Sequence, residues 1–215
     1  MLRKVFWEDP YLAHLDTEVA SVDGDAVTLA ATIIYAFSGG QESDQGSIGG
    51  HEVLDARKMG ADILYTLAPD HGLVQGQKVA TTIDWARRYR LMRLHFAAEI
   101  VLELVYRDLG PIEKIGAHIA ADKARIDFAR ATPVTPELPA LTARANAIIA
   151  DDLPITSAFS DESVGRRFWQ VPGFEPVPCG GTHLKRTGEV GPVTLKRRNI
   201  GKGKERIEIF LGELA

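Results

Sequence analysis

The stretch DWARRYRLMRLHFAAEIVLELVYRDLG, residues 84–110, separates two differently patterned parts of the chain. Its apolar residues recur at steps of three and four, the period of an α-helix; they are Leu91, Leu94, Ala98, Val101, Leu102 and Val105. Asp84 is a suitable N-cap and Gly110-Pro111 a suitable stop. The stretch predicts one long helix.

The sequence before this helix is typical of β-structure. Short alternating runs are separated by Gly and Asp turns, and Asp23-Gly24 is a strong hairpin signal. Short strands at regular spacing favour a small barrel or sandwich. We expect residues 1–83 to form a small β-barrel-like module.

The sequence from residue 84 to residue 215 mixes both periods, which predicts an α+β domain with helices packed on an antiparallel sheet. HIAADKARIDFA (118–129) reads as a hairpin, and residues 135–153 as a second helix capped by Thr135. The later predictions are a strand at 155–159, a helix in DESVGRRFW (161–169), and strands at 191–198 and 205–211.

Composition limits the classes of function. The 215 residues are 45% hydrophobic, and charges interrupt every apolar run, so we expect no membrane span. The N-terminus lacks the apolar run of a signal peptide, and the single cysteine cannot form an internal disulfide. Both features favour a cytoplasmic location. Oligomeric state is not readable from the sequence.

Charge is unevenly distributed. The formal net charge of −4 gives the whole protein no attraction to nucleic acid. Basic residues nevertheless cluster at 87–93 and 185–206. These clusters are either a solvated surface or phosphate contacts at one face.

Two pairs of residues could perform chemistry. Cys179 and His183 have C-x3-H spacing, and His95 and Glu99 lie four apart on one helix face. Thiolate, imidazole and carboxylate are ordinary zinc ligands. The alternative is a Cys179 nucleophile activated by a histidine, with backbone N–H groups of the following glycines as an oxyanion pocket. Spacing does not decide between them.

The glycine-rich stretch YAFSGGQESDQGSIGG, residues 35–50, lacks the signature of a phosphate loop or a dinucleotide fold. Alone it reads as a loop in which glycines allow positive φ or a close backbone approach. The amide of Gln41 could orient a water or bind a polar group.

Taken together, three motifs resemble those of one family, the freestanding AlaX-type alanyl-tRNA editing proteins, which are similar to the editing region of alanyl-tRNA synthetase. YAFSGGQ with Asp44 resembles the family's glycine loop. RRYRLMRLHFAAEIV resembles its H-x3-H helix, and CGGTH followed by TGEVG its C-x3-H motif. The motifs occur in the family's order, and the resemblance covers nearly the whole chain.

The resemblance implies a hydrolase that deacylates mischarged Ser-tRNA(Ala), and also Gly-tRNA(Ala) as a second substrate, in trans. A synthetase pocket cannot exclude close competitors of a small amino acid by binding alone, so a second site cleaves the wrong ester. The implied partner is the acceptor end of mischarged tRNA(Ala), with one Zn²⁺ per chain as cofactor. No ATP and no membrane are expected.

The resemblance also assigns roles to residues. The metal ligands would be His95, Cys179 and His183, with Glu99 at or next to the metal. Catalytic roles would belong to Gln41, Glu99 and Thr182, and substrate contacts to Gly39, Gly40, Asp44, Arg93 and Lys185.

Glu99 departs from the family pattern, which has a second histidine at that position. Glutamate can ligate zinc, although with a thiolate it would neutralise the ion and weaken it as a Lewis acid. Alternatively Glu99 acts as a general base on a water. A third reading is a degenerate, non-catalytic RNA-binding relative, and a fourth is a hydrolase of another mischarged aminoacyl-tRNA.

Overall fold

The computed structural model describes residues 2–213. They form two compact units: a first unit of residues 2–38 and 42–89, and a second unit of residues 39–41 and 90–213. The α+β class predicted from the sequence is confirmed, because strands and two helices both contribute. The assignment of functional domains to residues 1–83 and 84–215 stays a prediction.

The first unit is built from short strands, most of them in a seven-stranded sheet ordered β6-β5-β9-β2-β3-β8-β7. The two remaining strands, β1 and β4, pair in parallel. The strands are β1 Arg3–Lys4, β2 His14–Asp23, β3 Ala26–Leu29, β4 Ala31–Thr32, β5 Gly46–Ile48, β6 His51–Glu52, β7 Asp55–Met59, β8 Asp62–Thr66 and β9 Lys78–Ile83.

The long strand β2 bends the sheet of the first unit. Its first half pairs with β9 and its second half with β3, and the register shifts between Val19 and Ser21. Such an irregularity bends a strand and increases its twist. Alternate side chains therefore enclose one apolar core, which includes Val27, Ile34 and Tyr65.

A buried ion pair ties the glycine-rich stretch into the first unit. Arg88 is fully buried and its guanidinium donates to both carboxylate oxygens of Asp44 and to the carbonyl of Ile33. Asp44 also accepts from the backbone N–H of Tyr35 at 2.7 Å. Satisfying every polar group is what makes burial of this pair tolerable.

The predicted long helix is present as α1, Trp85–Leu109. The carboxylate of Asp84 accepts from the N–H of Arg87 at 3.0 Å, which confirms the predicted N-cap. Gly110 has φ 80°, a conformation that favours glycine and ends the helix. Most side chains between residues 91 and 105 are buried, so α1 is a central helix rather than a surface one.

The second unit contains two antiparallel sheets and the helix α2, Leu138–Ala150. The larger sheet has the order β10-β11-β16-β15, and the smaller has the order β12-β13-β14. The strands are β10 Lys114–Ile119, β11 Ala124–Ala129, β12 Thr156–Asp161, β13 Arg166–Gln170, β14 Val177–Pro178, β15 Val193–Asn199 and β16 Lys204–Leu211.

Two local predictions in the second unit are wrong. Glu137 rather than Thr135 occupies the N-cap of α2, because Pro139 sets the φ of the first turn and the preceding residues form a separate turn. The segment 161–169 is not an α-helix: only Glu162–Val164 forms a short 3-10 helix, and Arg166–Gln170 is a strand. Its Asp161-capped turn ends at Gly165 with φ 66°, which returns the chain as β13 to pair with β12.

No helix among the described residues is long and apolar enough to cross a membrane.

The carboxylate of Glu205 anchors one end of the larger sheet. It accepts from Arg197 Nε and Nη2 at 2.5 and 2.6 Å and from the backbone N–H of Val134 at 3.1 Å. The Arg197 hydrogen bonds hold the pKa of Glu205 below its usual range, although burial opposes them. The ionised form therefore stabilises the fold.

We expect Glu205→Gln to lower the free energy of unfolding by about 1–2 kcal/mol at pH 7, because charge-assisted hydrogen bonds are lost. A depressed pKa in the folded state contributes stability above the ordinary pKa of about 4.3 and loses it as pH falls through the folded value. The difference between variant and wild type should therefore shrink in acid. Urea unfolding at pH 7 and in acid measures the difference in free energy of unfolding. Glu52→Gln, at an exposed position, is the control. A difference independent of pH would contradict this explanation.

Candidate metal and hydrolytic site

Three predicted ligands converge in the second unit. Nε2 of His95, from α1, lies 3.2 Å from Sγ of Cys179, and Nε2 of His183 lies 3.3 Å from the same sulfur. The three ligand atoms lie within 4.8 Å of one another, and no other such group occurs among residues 2–213. Residues 84 positions apart in the sequence are thus brought to one point.

Burial sets the charge of this cluster. It lowers the pKa of His95, which the neighbouring Glu99 carboxylate partly counteracts. It lowers the pKa of His183 further, with help from nearby His95 and Arg167. Both rings are therefore neutral near pH 7, the form in which imidazole ligates a metal.

The thiol of Cys179 is not activated as a nucleophile by its surroundings. Burial raises its pKa, and the negative charge of Glu99 raises it further, while the N–H of Gly181 only partly opposes both. A reactive cysteine needs a lowered pKa. A bound cation would supply the positive charge that a buried thiolate lacks. The environment argues for a ligand and against a cysteine nucleophile.

A serine orients one of the two histidines. Nδ1 of His183 lies 2.8 Å from Oγ of Ser157 on β12. For Nε2 to present its lone pair, Nδ1 carries the proton and donates it to that oxygen. Metal-ligating histidines ordinarily have such a partner.

Glu99 lies beside the three-residue cluster. Its Oε1 is 3.7 Å from both His95 Nε2 and Cys179 Sγ, while its Oε2 accepts from Trp169 Nε1 at 2.9 Å. One oxygen is anchored and the other faces the ligand atoms. Whether Glu99 ligates the metal stays a prediction.

The donor set fits Zn²⁺. Two neutral imidazoles and one thiol match the preference of zinc for nitrogen and sulfur. Both histidines are at most 4% exposed, so the donors are largely shielded from water. Three protein ligands are also the usual number at a catalytic zinc site, where a fourth position is left for water or substrate.

Gln41 lies next to this cluster. It is fully buried, and its Nε2 donates to Oγ1 of buried Thr182 at 3.0 Å. Its Oε1 has no hydrogen-bond partner among the described residues. A buried acceptor without a donor is costly and calls for an explanation.

The segment of residues 39–41 is held at the edge of the larger sheet. Gln41 bridges Ile119 of β10 in parallel, and the carbonyl of Gly40 accepts from the N–H of Ile119 at 2.8 Å. Gly40 has φ 88°, and a Cβ there would lie 2.6 Å from the carbonyl oxygen of Ala117. Both constraints require glycine, which places Gln41 at the site.

The other predicted substrate contacts have different surroundings. Gly39, with φ 61°, has open space where a Cβ would be, and Lys185 is exposed. Arg93 is buried and donates through Nε to the carbonyl of Val190 at 2.9 Å. Asp44 belongs to the first unit, where it pairs with Arg88. Their contacts with substrate stay predictions.

Known relatives identify the family. The alanyl-tRNA editing protein AlaX-M of Pyrococcus horikoshii is 32% identical over 215 residues, which cover 98% of each chain. This chain belongs to the alanyl-tRNA editing protein family.

Further relatives agree with this membership. AlaX-M of Saccharolobus solfataricus is 32% identical over 96% of this chain and 98% of that protein. The alanine–tRNA ligase of Ignicoccus hospitalis is 32% identical over 98% of this chain, which corresponds to 26% of the ligase. Residues 167–208 match the family described as the threonyl and alanyl tRNA synthetase second additional domain.

Sequence reasoning missed three residues around the site of this alanyl-tRNA editing family member. Ser157 and Trp169 face each other in the register of β12 and β13, and Arg167 lies two residues before Trp169 on the same face. Their partners are His183, Glu99 and the Cys179 region. The alternation of buried residues along RRFWQ was the available signal, and the helix prediction concealed it.

The glycine before Thr182 allows the site to assemble. A Cβ on Gly181 would lie 2.6 Å from Cε1 and 2.7 Å from Nε2 of His95, and 3.1 Å from Oε1 of Gln41. A Cβ on neighbouring Gly180 would meet nothing within 4 Å.

We expect Gly181→Ala to weaken zinc binding at least tenfold, because the added methyl displaces the His95 ring. Gly180→Ala is the matched control and should bind zinc like the wild type. Competition with a chromophoric chelator measures both affinities. Equal affinities for the two variants would show that the close approach to His95 is not needed for the metal.

Proposed function

We propose that this protein deacylates Ser-tRNA(Ala) at a site that holds one Zn²⁺. Family membership supports an editing activity on mischarged tRNA(Ala), and the His95, Cys179 and His183 cluster supports the metal. The partner is the acceptor end of the mischarged tRNA. The setting is the cytoplasm, where aminoacyl-tRNA is used.

The observation that carries the choice of serine is the unpartnered Oε1 of Gln41. A seryl ester brings a hydroxyl that can donate to this oxygen, whereas alanyl and glycyl esters bring none. Sites built around a buried polar group discriminate strongly against an analogue that leaves that group unpaired. Gln41 thereby favours the mischarged amino acid over alanine, and serine over glycine.

Thr182 fixes the orientation of the Gln41 side-chain amide. Its Oγ1 accepts from Nε2 of Gln41, so the amide is held with Oε1 free to receive a donor. Gly40 supports the same arrangement by holding the Gln41 backbone against Ile119. Gly39 completes the loop that lines the amino-acid pocket.

His95, Cys179 and His183 would hold the zinc ion, which when bound polarises a carbonyl or activates a water. Glu99 serves as the general base, because Trp169 anchors Oε2 and leaves Oε1 facing the ligand atoms. Water adds its oxygen to the ester carbonyl and gives one proton to Glu99. The ester C–O bond then breaks, and the proton passes to the ribose oxygen. The products are serine and tRNA.

Two variants distinguish a metal ligand, Cys179, from a general base, Glu99. We expect Cys179→Ala to lose both zinc and activity. Glu99→Gln should keep zinc and lose at least a hundredfold in rate, because an amide cannot accept the proton. Zinc quantification and deacylation are measured on the same samples.

Two outcomes would contradict these assignments. Full zinc and full rate in Cys179→Ala would show that Cys179 is neither a metal ligand nor required for activity. Loss of zinc in Glu99→Gln would make Glu99 a ligand rather than a base standing beside the metal.

The function itself is tested with purified Ser-, Gly- and Ala-tRNA(Ala). We expect the wild type to hydrolyse the seryl ester fastest and to spare the alanyl ester. Gln41→Met should lower kcat/KM for Ser-tRNA(Ala) at least tenfold, and much less for Gly-tRNA(Ala), because only serine uses the missing acceptor.

Thr182→Val is the companion variant. It keeps the side-chain carbonyl of Gln41 but removes the Thr182 hydroxyl that accepts the hydrogen bond from Gln41 Nε2. Zinc without hydrolysis of any of the three esters would indicate another aminoacyl-tRNA substrate. Neither zinc nor hydrolysis would support the degenerate RNA-binding relative.

A further inference from the structure

One face of the larger sheet in the second unit is polar. Cross-strand pairing aligns Arg125 with Glu208 and Lys196, and aligns Asp127 with Arg206 and Arg198. We call this surface the basic face, and it comprises Arg125, Asp127, Lys196, Arg198, Arg206 and Glu208. The alternate residues on the same strands, such as Ile126, Ile207 and Ile209, are buried.

The basic face carries a surplus of positive charge. With Lys123, whose Nζ lies 2.8 Å from Glu208, five basic side chains accompany two carboxylates, a formal charge of +3. The whole chain has a formal charge of −4. A face of this sign on an acidic protein is complementary to a polyanion.

The two carboxylates are already shared among several cations. Asp127 accepts from Arg206 at 2.6 and 2.9 Å and also from Arg125. Glu208 accepts from Lys123, and Arg198 approaches it only to 3.6 Å. The acidic groups therefore leave positive charge exposed, most of all on Arg198, whose side chain is 62% exposed.

Like charges are also placed directly opposite each other. Arg198 and Arg206 are partners in the register of β15 and β16. Directly opposed like charges destabilise a sheet. Asp127 already compensates Arg206, whereas Arg198 approaches the carboxylate of Glu208 only to 3.6 Å. A bound anion would compensate Arg198, which is the second indication that the face receives one.

An aromatic ring lies among these cations. Phe210 is half-buried, with Nζ of Lys196 5.0 Å and Nζ of Lys123 5.7 Å from its ring centroid. Surfaces that bind single-stranded nucleic acid combine cations for the backbone with aromatic rings for the bases.

The arginines at the start of α1 are not equally available for phosphates. Arg88 is fully buried on Asp44, and Arg87 pairs with Glu42 at 2.6 Å. Arg93 is buried on a main-chain carbonyl. Arg90 is exposed and donates through Nε to the carbonyl of Ala121. Of the two basic clusters in the sequence, the later one therefore supplies most of the exposed cations.

The basic face belongs to the same sheet as the site segment. Residues 39–41 add to the edge at β10, and β15 forms the opposite edge. The four strand spacings between these edges amount to about 19 Å. Gln41 pairs with Ile119, which shares the apolar face of the sheet with Ala124 and Ile209, so the basic face is the opposite face. A strand of RNA on the basic face therefore reaches Gln41 only by passing round the β10 edge, a path of a few nucleotides.

We propose that the basic face binds the phosphates of the tRNA acceptor strand and positions its esterified end at the Gln41 edge. This proposal rests on the proposed function for its choice of RNA. The bound chemistry is the phosphate backbone, so the face contributes affinity and orientation rather than sequence readout.

The test is a double variant, Lys196→Gln with Arg198→Gln, which removes two exposed charges from the basic face. We expect its Kd for uncharged tRNA(Ala) to rise about tenfold, and the slope of log K against log salt to fall by about 1 for each lost phosphate contact. Arg57→Gln with Lys78→Gln is the matched control, since both side chains are exposed in the first unit. The control should bind like the wild type.

A minimal ester separates this proposal from the proposed function. Seryl-adenosine carries no phosphate, so the double variant should hydrolyse it at the wild-type rate while its KM for Ser-tRNA(Ala) rises. If the wild type hydrolyses neither ester, the proposed function fails, and the binding comparison still tests the face. Unchanged tRNA affinity and salt slope in the double variant would overturn the proposal, as would an equal loss in the control. Arg198→Gln alone serves if the double variant is unstable.

Discussion

The packing of two buried imidazoles and one partly buried thiol within 4.8 Å of one another is the constraint on which the second unit depends. His95 must come from a helix and Cys179 with His183 from a loop, so both elements have to be held in register. Burial keeps the three groups uncharged without a metal, because their pKa values all move toward the neutral form. The site thus favours a cation that would compensate the thiolate.

The glycines that surround the site serve close approach. Gly181 leaves room for the His95 ring, and Gly40 lets the chain pass against the carbonyl of Ala117. Together they bring Gln41 beside the cluster, although neither contributes a side chain. The glycine-rich stretch of residues 35–50 lacks the signature of a phosphate site, but its glycines still allow the close backbone approach that positions Gln41.

Electrostatics differ between the site and the basic face. The site is largely buried, its histidines are neutral near pH 7, and the proposed selection of serine depends on one amide oxygen, Oε1 of Gln41. The basic face is partly exposed and places cations directly opposite each other, such as Arg198 and Arg206, of which Arg206 is paired with Asp127. On the proposed function, this division would separate recognition of the amino acid from attraction to the polyanion that carries it, and variants could alter the two independently.

The sequence by itself predicted the α+β class and the long helix capped by Asp84, because these depend on local periodicity. The order of three motifs that resemble those of one family indicated the family and the three residues, His95, Cys179 and His183, that the structure brings together. Only the tertiary structure decided that Glu99 accepts a hydrogen bond from Trp169, that Ser157 lies against His183, and that Arg166–Gln170 forms a strand paired with β12. These features arise from contacts between residues far apart in the chain, or from a single glycine turn, and neither leaves a periodic signal. The pairing of strands likewise decided which cations share a face, since register is a property of the folded sheet.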